Sequence, residues 1–176
     1  MRKRVGFVMV TSAFLTLVGL LSGSTLWAQK SEEKERAELA EALKAAKVSL
    51  QDGLAASAHE GTPISTKFEV ENGKLQLSVY TMKGERFSEV IVDHTSGKIT
   101  KTEAITGGED LVAAKAQSEA MSKAKLSLRA ATLRTVRVNK GFRAVSAIPT
   151  LKEMHPVAEI TLAKGSEFKT VRERLD

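Results

Sequence analysis

The chain has 176 residues, with 27 Lys/Arg against 21 Asp/Glu for a formal net charge of +6, and it contains no cysteine. The missing thiol excludes disulfides, thiolate metal sites, cysteine nucleophiles and acyl-cysteine lipid anchors together. Charge is unevenly spread: residues 29–106 carry 11 basic against 13 acidic side chains and residues 107–176 carry 13 against 8, so the basic character belongs to the N-terminal leader and to the second half.

Arg2, Lys3 and Arg4 form a positive start, Val5 to Leu21 an uncharged and mostly apolar run, and Ser22 to Ala28 a small-residue stretch. This order predicts a signal peptide over residues 1–28, cut after Ala28, and a periplasmic or secreted protein. The apolar run of 17 residues is close to the shortest that spans a bilayer, so an uncleaved anchor in the inner membrane is the alternative. An oxidising compartment permits disulfides without requiring them, so the absence of cysteine is compatible with export.

Past the leader, Ser31 is expected to cap a helix whose first turn is acidic (Glu32, Glu33, Glu35) and whose end is basic (Lys44, Lys47), both favourable to the helix dipole. Leu39, Leu43, Ala46 and Leu50 recur at helical spacing and predict a narrow apolar stripe. Ser49 with Asp52 three residues on reads as a capping box opening a short helix that continues through Leu54 to Ala58. From Ile64 the period becomes two: Ile64, Thr66, Phe68 and Val70 alternate with Ser65, Lys67 and Glu69, Asn72-Gly73 turns the chain, and Leu75 to Tyr80 returns. Lys83-Gly84-Glu85 leads into a strand over Phe87 to Asp93, and His94 to Lys98 turns into Ile99 to Glu103.

Gly107-Gly108 marks a join, after which the pattern restarts. A helix opens on Glu109 and Asp110 and closes on Lys123 and Lys125, Ser127 caps a short helix over Leu128 to Thr135, and strands are expected at Phe142 to Ile148, Val157 to Leu162 and Phe168 to Leu175. Pro149 and Pro156 are expected to bracket a loop in place of the tight Asn72-Gly73 turn. Arg172, Glu173 and Arg174 suit an edge strand protected from unwanted pairing. The restart is visible in the residues: Ala46-Lys47-Val48-Ser49-Leu50 returns as Ala124-Lys125-Leu126-Ser127-Leu128, 78 positions on, and Lys83-Gly84-Glu85-Arg86-Phe87 as Lys164-Gly165-Ser166-Glu167-Phe168, 81 positions on. Order is kept and about three residues are inserted between the marks, the signature of an internal repeat. The expected fold is therefore α+β, two tandem repeats over 29–106 and 107–176, each with helices packed on an antiparallel meander. Units of 78 and 70 residues without staples are marginal alone, so they should pack as one cooperative body.

The Lys-x-Ser-Leu cap, short helix, strand, Asn-Gly turn, strand, Lys-Gly turn and strand, closed by Val90-Ile91-Val92-Asp93-His94-Thr95-Ser96-Gly97-Lys98-Ile99, resemble the PepSY domain. The likeness covers residues 46–103 well, and 124–176 more weakly through the repeat, since the second copy lacks the Asp-x-Thr-x-Gly-Lys closing turn. The resemblance implies a helix on an antiparallel sheet, a place outside the cytoplasm and a role in binding or restraining peptidases, with no catalytic residues to carry over.

The chemical inventory agrees with a non-enzyme. His59, His94 and His155 stand apart, without the spacing that sets two ligands on one helical face. Asp93, Ser96 and Gly97 fit turn geometry better than a calcium loop, which needs more carboxylates. Ser49 and Ser127 are explained as caps, with no nucleophile elbow around them. No catalytic residue, metal or cofactor is expected, and the partner is another envelope protein, a peptidase among the candidates. Between Glu119 and Glu153 there is no acid, while Lys123, Lys125, Arg129, Arg134, Arg137, Lys140 and Arg143 accumulate. That basic run is the candidate site for an anionic partner, envelope lipid or polysaccharide being the alternative ligand. Phe142 is the lone aromatic within it, which with export argues against nucleic acid. Membrane contact is expected through an uncleaved leader or this patch and nowhere else.

Overall fold

The computed structural model of the chain describes residues 25–176. The leader expected over 1–28 therefore lies outside the described residues except for Thr25 to Ala28, which enter the first helix. Among the described residues no helix is long and apolar enough to cross a membrane.

In chain order the elements are α1 (Thr25–Ala42) running into a 3₁₀ turn (Leu43–Ala45), α2 (Leu50–Ser57), β1 (Thr62–Glu71), β2 (Lys74–Lys83), β3 (Arg86–Val92), β4 (Ile99–Ile105), α3 (Gly108–Ser122), α4 (Leu128–Val138), β5 (Arg143–Lys152), β6 (His155–Lys164) and β7 (Glu167–Arg174). The seven strands form one antiparallel sheet in the order β4-β3-β2-β1-β5-β6-β7. Among the described residues the fold is thus mixed α+β, four helices on one continuous sheet. The halves join edge to edge through a short pairing of β1 with β5, Thr66 opposite Ala147 and Lys67 opposite Ser146.

Alternation along the strands decides which face is apolar. Val90, Val79, Thr66, Ala147, Ile160 and Val171 stand opposite one another in a row that crosses six strands. This face carries the main core, with Phe68, Leu77, Val92, Leu162 and Leu175 beside the row and Leu43, Leu50, Leu54, Leu128 and Ala131 from the helices. A single apolar cluster therefore runs through both halves. The helix α2 comes close to the sheet because Gly53 has no side chain; a Cβ there would stand 2.6 Å from Cδ2 of buried Leu77. A smaller cluster of Ile64, Tyr80, Phe87 and Ala114 sits where α3 docks on the first half.

Local geometry follows the expected chemistry at several points. Ser49 caps α2 with a complete capping box, its Oγ accepting from the Asp52 N–H while the Asp52 carboxylate accepts from the Ser49 N–H. Ser127 caps α4 by accepting from the Ala130 N–H. Asn72 and Gly73 both adopt left-handed backbone, with φ of 51° and 72°, as a two-residue hairpin turn requires.

Two expectations are corrected. Ser31 is no N-cap: α1 begins by Thr25 and runs through it, and its Oγ donates to Glu35 one turn on. Nothing between Thr25 and Lys30 is glycine or proline, so the helix has no reason to start later. The prolines bracket no loop. Both lie within strands, Pro149 opposite Ala158 and Pro156 opposite Leu151, and the turn between them is the two residues Glu153-Met154, with φ of 50° and 67°. Pro149 is tolerated in β5 because it lies beyond the stretch where β5 pairs β1, and Pro156 stands at the start of β6.

The offsets in the sequence recur in the backbone. The N–H groups of Lys47 and Val48 both donate to the His94 carbonyl, and those of Lys125 and Leu126 both donate to the Leu175 carbonyl. The strands β1, β2 and β3 begin 81 positions before β5, β6 and β7, and α4 has 11 residues against 8 in α2. The three additional residues of α4 equal the difference between the 78- and 81-residue sequence offsets.

Candidate functional site

The seven basic residues of the candidate patch meet different surroundings. Lys123 closes α3 and lies 3.6 Å from Glu119. Arg134 on α4 pairs with Glu173 of β7 at 3.1 Å. Lys125, Arg129, Arg137 and Lys140 are exposed. Arg143 departs from the set altogether: it is half-buried, its Nη1 donates to the Leu43 carbonyl at 3.1 Å and reaches that of Ala46 at 3.5 Å, and its Nη2 donates to the Val48 carbonyl at 3.0 Å. The guanidinium also stands over the Phe68 ring, 5.2 Å from its centroid. From β5 in the second half it thus receives the carbonyls at the end of the first helix, where cations are favoured. Burial pulls its pKa down, so the charge is held there against a desolvation cost.

Between α4 and the outer side of β7 the chain forms an open notch of about 560 Å³ lined by Lys125, Arg134, Glu173, Arg174 and Asp176. Asp176 accepts from Arg174 at 2.8 and 2.9 Å and lies 2.7 Å from His155 Nδ1; these two partners hold its carboxyl well below the usual carboxylate range. Three cations and two carboxylates therefore line the notch, with His155 beside it on Asp176. β7 itself hydrogen-bonds β6 on one side, and as the last strand of the order it has a free outer edge.

The sheet face opposite the main core carries a polar cluster that the sequence reading did not single out. Lys67 and Glu69 pair at 2.6 Å, Ser78 donates to Glu69 at 2.8 Å, and Gln76 donates to Ser78 at 3.0 Å. The Tyr80 hydroxyl donates to Asp110 of α3 at 2.9 Å, and Ser65 donates to Gln117 at 2.6 Å, which fixes α3 on the first half. Burial, with Glu69 nearby, raises the Glu89 pKa, and burial raises that of Tyr80. The alternation of Ser65, Lys67 and Glu69 places these residues on one face; which helix covers that face depends on the docking of α3. Among the described residues no three of His, Asp and Glu stand close enough to hold a metal ion. Asp93 accepts from the Thr95 and Ser96 N–H groups and from Ser96 Oγ, closing the turn before β4, and these bonds lower its pKa.

No family model, no curated protein and no solved structure matches this chain.

Proposed function

We propose that the protein is a non-enzymatic binding module, two tandem PepSY-like repeats exported to the cell envelope, that holds an extended segment of another envelope polypeptide against the outer edge of β7. The position of β7 carries this reading: an eight-residue strand, paired along one side, with a charged notch at its end. An added strand gains main-chain hydrogen bonds without specialised chemistry, and the surrounding side chains select its sequence. The 78- and 81-residue offsets, shared by caps, carbonyl bonds and strand starts, support the repeat. A peptidase is the partner class to which the family resemblance points.

A photo-crosslinking residue at exposed Thr170 on β7, with one at exposed Ala55 on α2 as control, tests the reading in the envelope of the producing cell. We expect one saturable polypeptide adduct at position 170 that survives a high-salt wash. Equal labelling at 55, or none at 170, would refute the edge site. If the partner is a metallopeptidase, micromolar protein should slow it in a purified assay. The exposed Lys125, Arg129, Arg137 and Lys140 favour a second reading, binding of anionic lipid or polysaccharide, whose mark is loss of binding as salt rises.

A further inference from the structure

The other end of the sheet is an edge of different character. β4 rests on β3, no helix lies over its middle, and Thr100, Lys101, Thr102, Glu103 and Ala104 are all exposed. The ends of the strand are anchored, Ile99 in the main core and Ile105 in the smaller cluster. An irregularity in the pairing with β3 sets Val92 opposite Ile99 and Ile91 opposite Lys101, so the regular strand begins at Lys101. Lys101 and Glu103 lie on one face of it, with side chains more than half exposed, and pair with each other at 2.8 Å.

We propose that this edge joins a second copy of the chain, β4 against β4, in an antiparallel two-fold arrangement centred on Thr102. A two-fold edge contact sets each residue opposite one equally far on the other side of the axis. About Thr102, Lys101 meets the second copy's Glu103 and Glu103 meets its Lys101, so two ion pairs form, and Thr100 meets Ala104. The four charges make an alternating square in place of two isolated pairs. The neighbouring registers are opposed: an axis at Lys101 sets two lysines face to face, and one at Glu103 sets two glutamates face to face, both unfavourable across a sheet. A lysine on an edge ordinarily discourages pairing. Here the charges discourage every partner except the one that supplies their complement, selecting both mate and register. A contact of about five residues per strand falls well below the area of a permanent dimer, so the association is weak and concentration-dependent, with a dissociation constant on the order of micromolar or above.

The absence of cysteine supplies the test. In the proposed arrangement the two copies of residue 102 are about 4.5–5.5 Å apart at Cα, within disulfide reach, whereas the two copies of residue 100 are four residues out of register, about 13 Å. We expect Thr102→Cys in the full chain to form a covalent dimer on mild oxidation and Thr100→Cys to remain single. Sedimentation of the unmodified chain over roughly 1–500 µM should show a monomer–dimer equilibrium. Lys101→Glu or Glu103→Lys alone should weaken it about tenfold or more, each disturbing two pairs at once, and the double exchange K101E/E103K should restore it. Both side chains are exposed, so these variants keep the fold, which far-UV circular dichroism verifies. A chain that stays monomeric throughout, single reversals that leave dimerisation unchanged, equal crosslinking at 100 and 102, or mass growing without limit as β4 meets β7 head to tail would each overturn the proposal.

Discussion

Arg143→Met tests whether Arg143 clamps the two halves or belongs to the basic surface. Methionine keeps an apolar stem of similar length beside Phe68 and removes every donor. Two of the three bonds are short, 3.0 Å to the Val48 carbonyl and 3.1 Å to the Leu43 carbonyl, and the third, at 3.5 Å, lies at the limit of a hydrogen bond. A bond from a charged donor is worth about 1.5–3 kcal/mol. The site is half-buried, so water can reach part of the vacated carbonyls and the desolvation cost of the guanidinium is recovered. Those two effects bring two short bonds down to a net loss of about 2 kcal/mol, the ring contact adding about 0.5. Urea unfolding followed by far-UV circular dichroism reads this as a midpoint lower by about 1 M at a slope near 2 kcal/mol per M, with the slope itself unchanged. Exposed Arg137→Met is the control and should move stability by less than about 0.5 kcal/mol. If the two variants unfold at the same midpoint, Arg143 is one more surface cation and the clamp is wrong. A two-step curve in the unmodified chain would refute the related claim, that one core makes the halves a single cooperative unit.

Two further substitutions examine local chemistry. Ser49→Ala removes the side-chain half of the capping box of α2, the Oγ that accepts from the Asp52 N–H and donates to its carboxylate, and should cost about 1 kcal/mol near neutral pH, measured by thermal or urea unfolding. The Ser49 N–H, which the variant keeps, and the Ser49 hydroxyl, which it loses, both lower the Asp52 pKa in the folded chain, so the hydroxyl's share of stability is complete above the unfolded carboxylate value and fades as pH falls through the folded one. The gap between the variant and its parent should therefore narrow in acid, and a gap independent of pH down to about 2 would count against the carboxylate's part. The double change Glu153→Asn with Met154→Gly puts residues suited to left-handed backbone at φ of 50° and 67°. It should stabilise by about 1 kcal/mol, raising the melting midpoint by a few degrees; a lowered midpoint would mean that the present side chains hold the turn.

Much of the fold was legible because the signals are local. The change of period at Ile64, Asn72-Gly73, the Ser49–Asp52 pair and Ser127 each state a backbone conformation within a few residues of themselves, and the matching residues 78 and 81 positions apart lie at matching caps and strand starts. Local chemistry also explains the misreadings. Prolines at 149 and 156 look like breakers, yet the cross-strand register from Arg143–Ala163 to Lys152–His155 holds Glu153 and Met154 in a turn that neither residue favours. Ser31 looks like a cap, yet helix propensity on both sides runs through it. Seven cations are close in sequence, and the sequence cannot tell their surroundings apart: the fold sends Arg143 inward to carbonyls about a hundred residues away, pairs Arg134 with β7, and leaves Lys125, Arg129, Arg137 and Lys140 exposed. Strand order, the joining of the halves through Thr66–Ala147 and Lys67–Ser146, the docking of α3 by Ser65 and Tyr80, and the exposure of β4 and β7 as edges belong to the same level. Each rests on burial and pairing summed over residues far apart in the chain, and a neighbour-by-neighbour pattern carries no record of which distant surface will cover it.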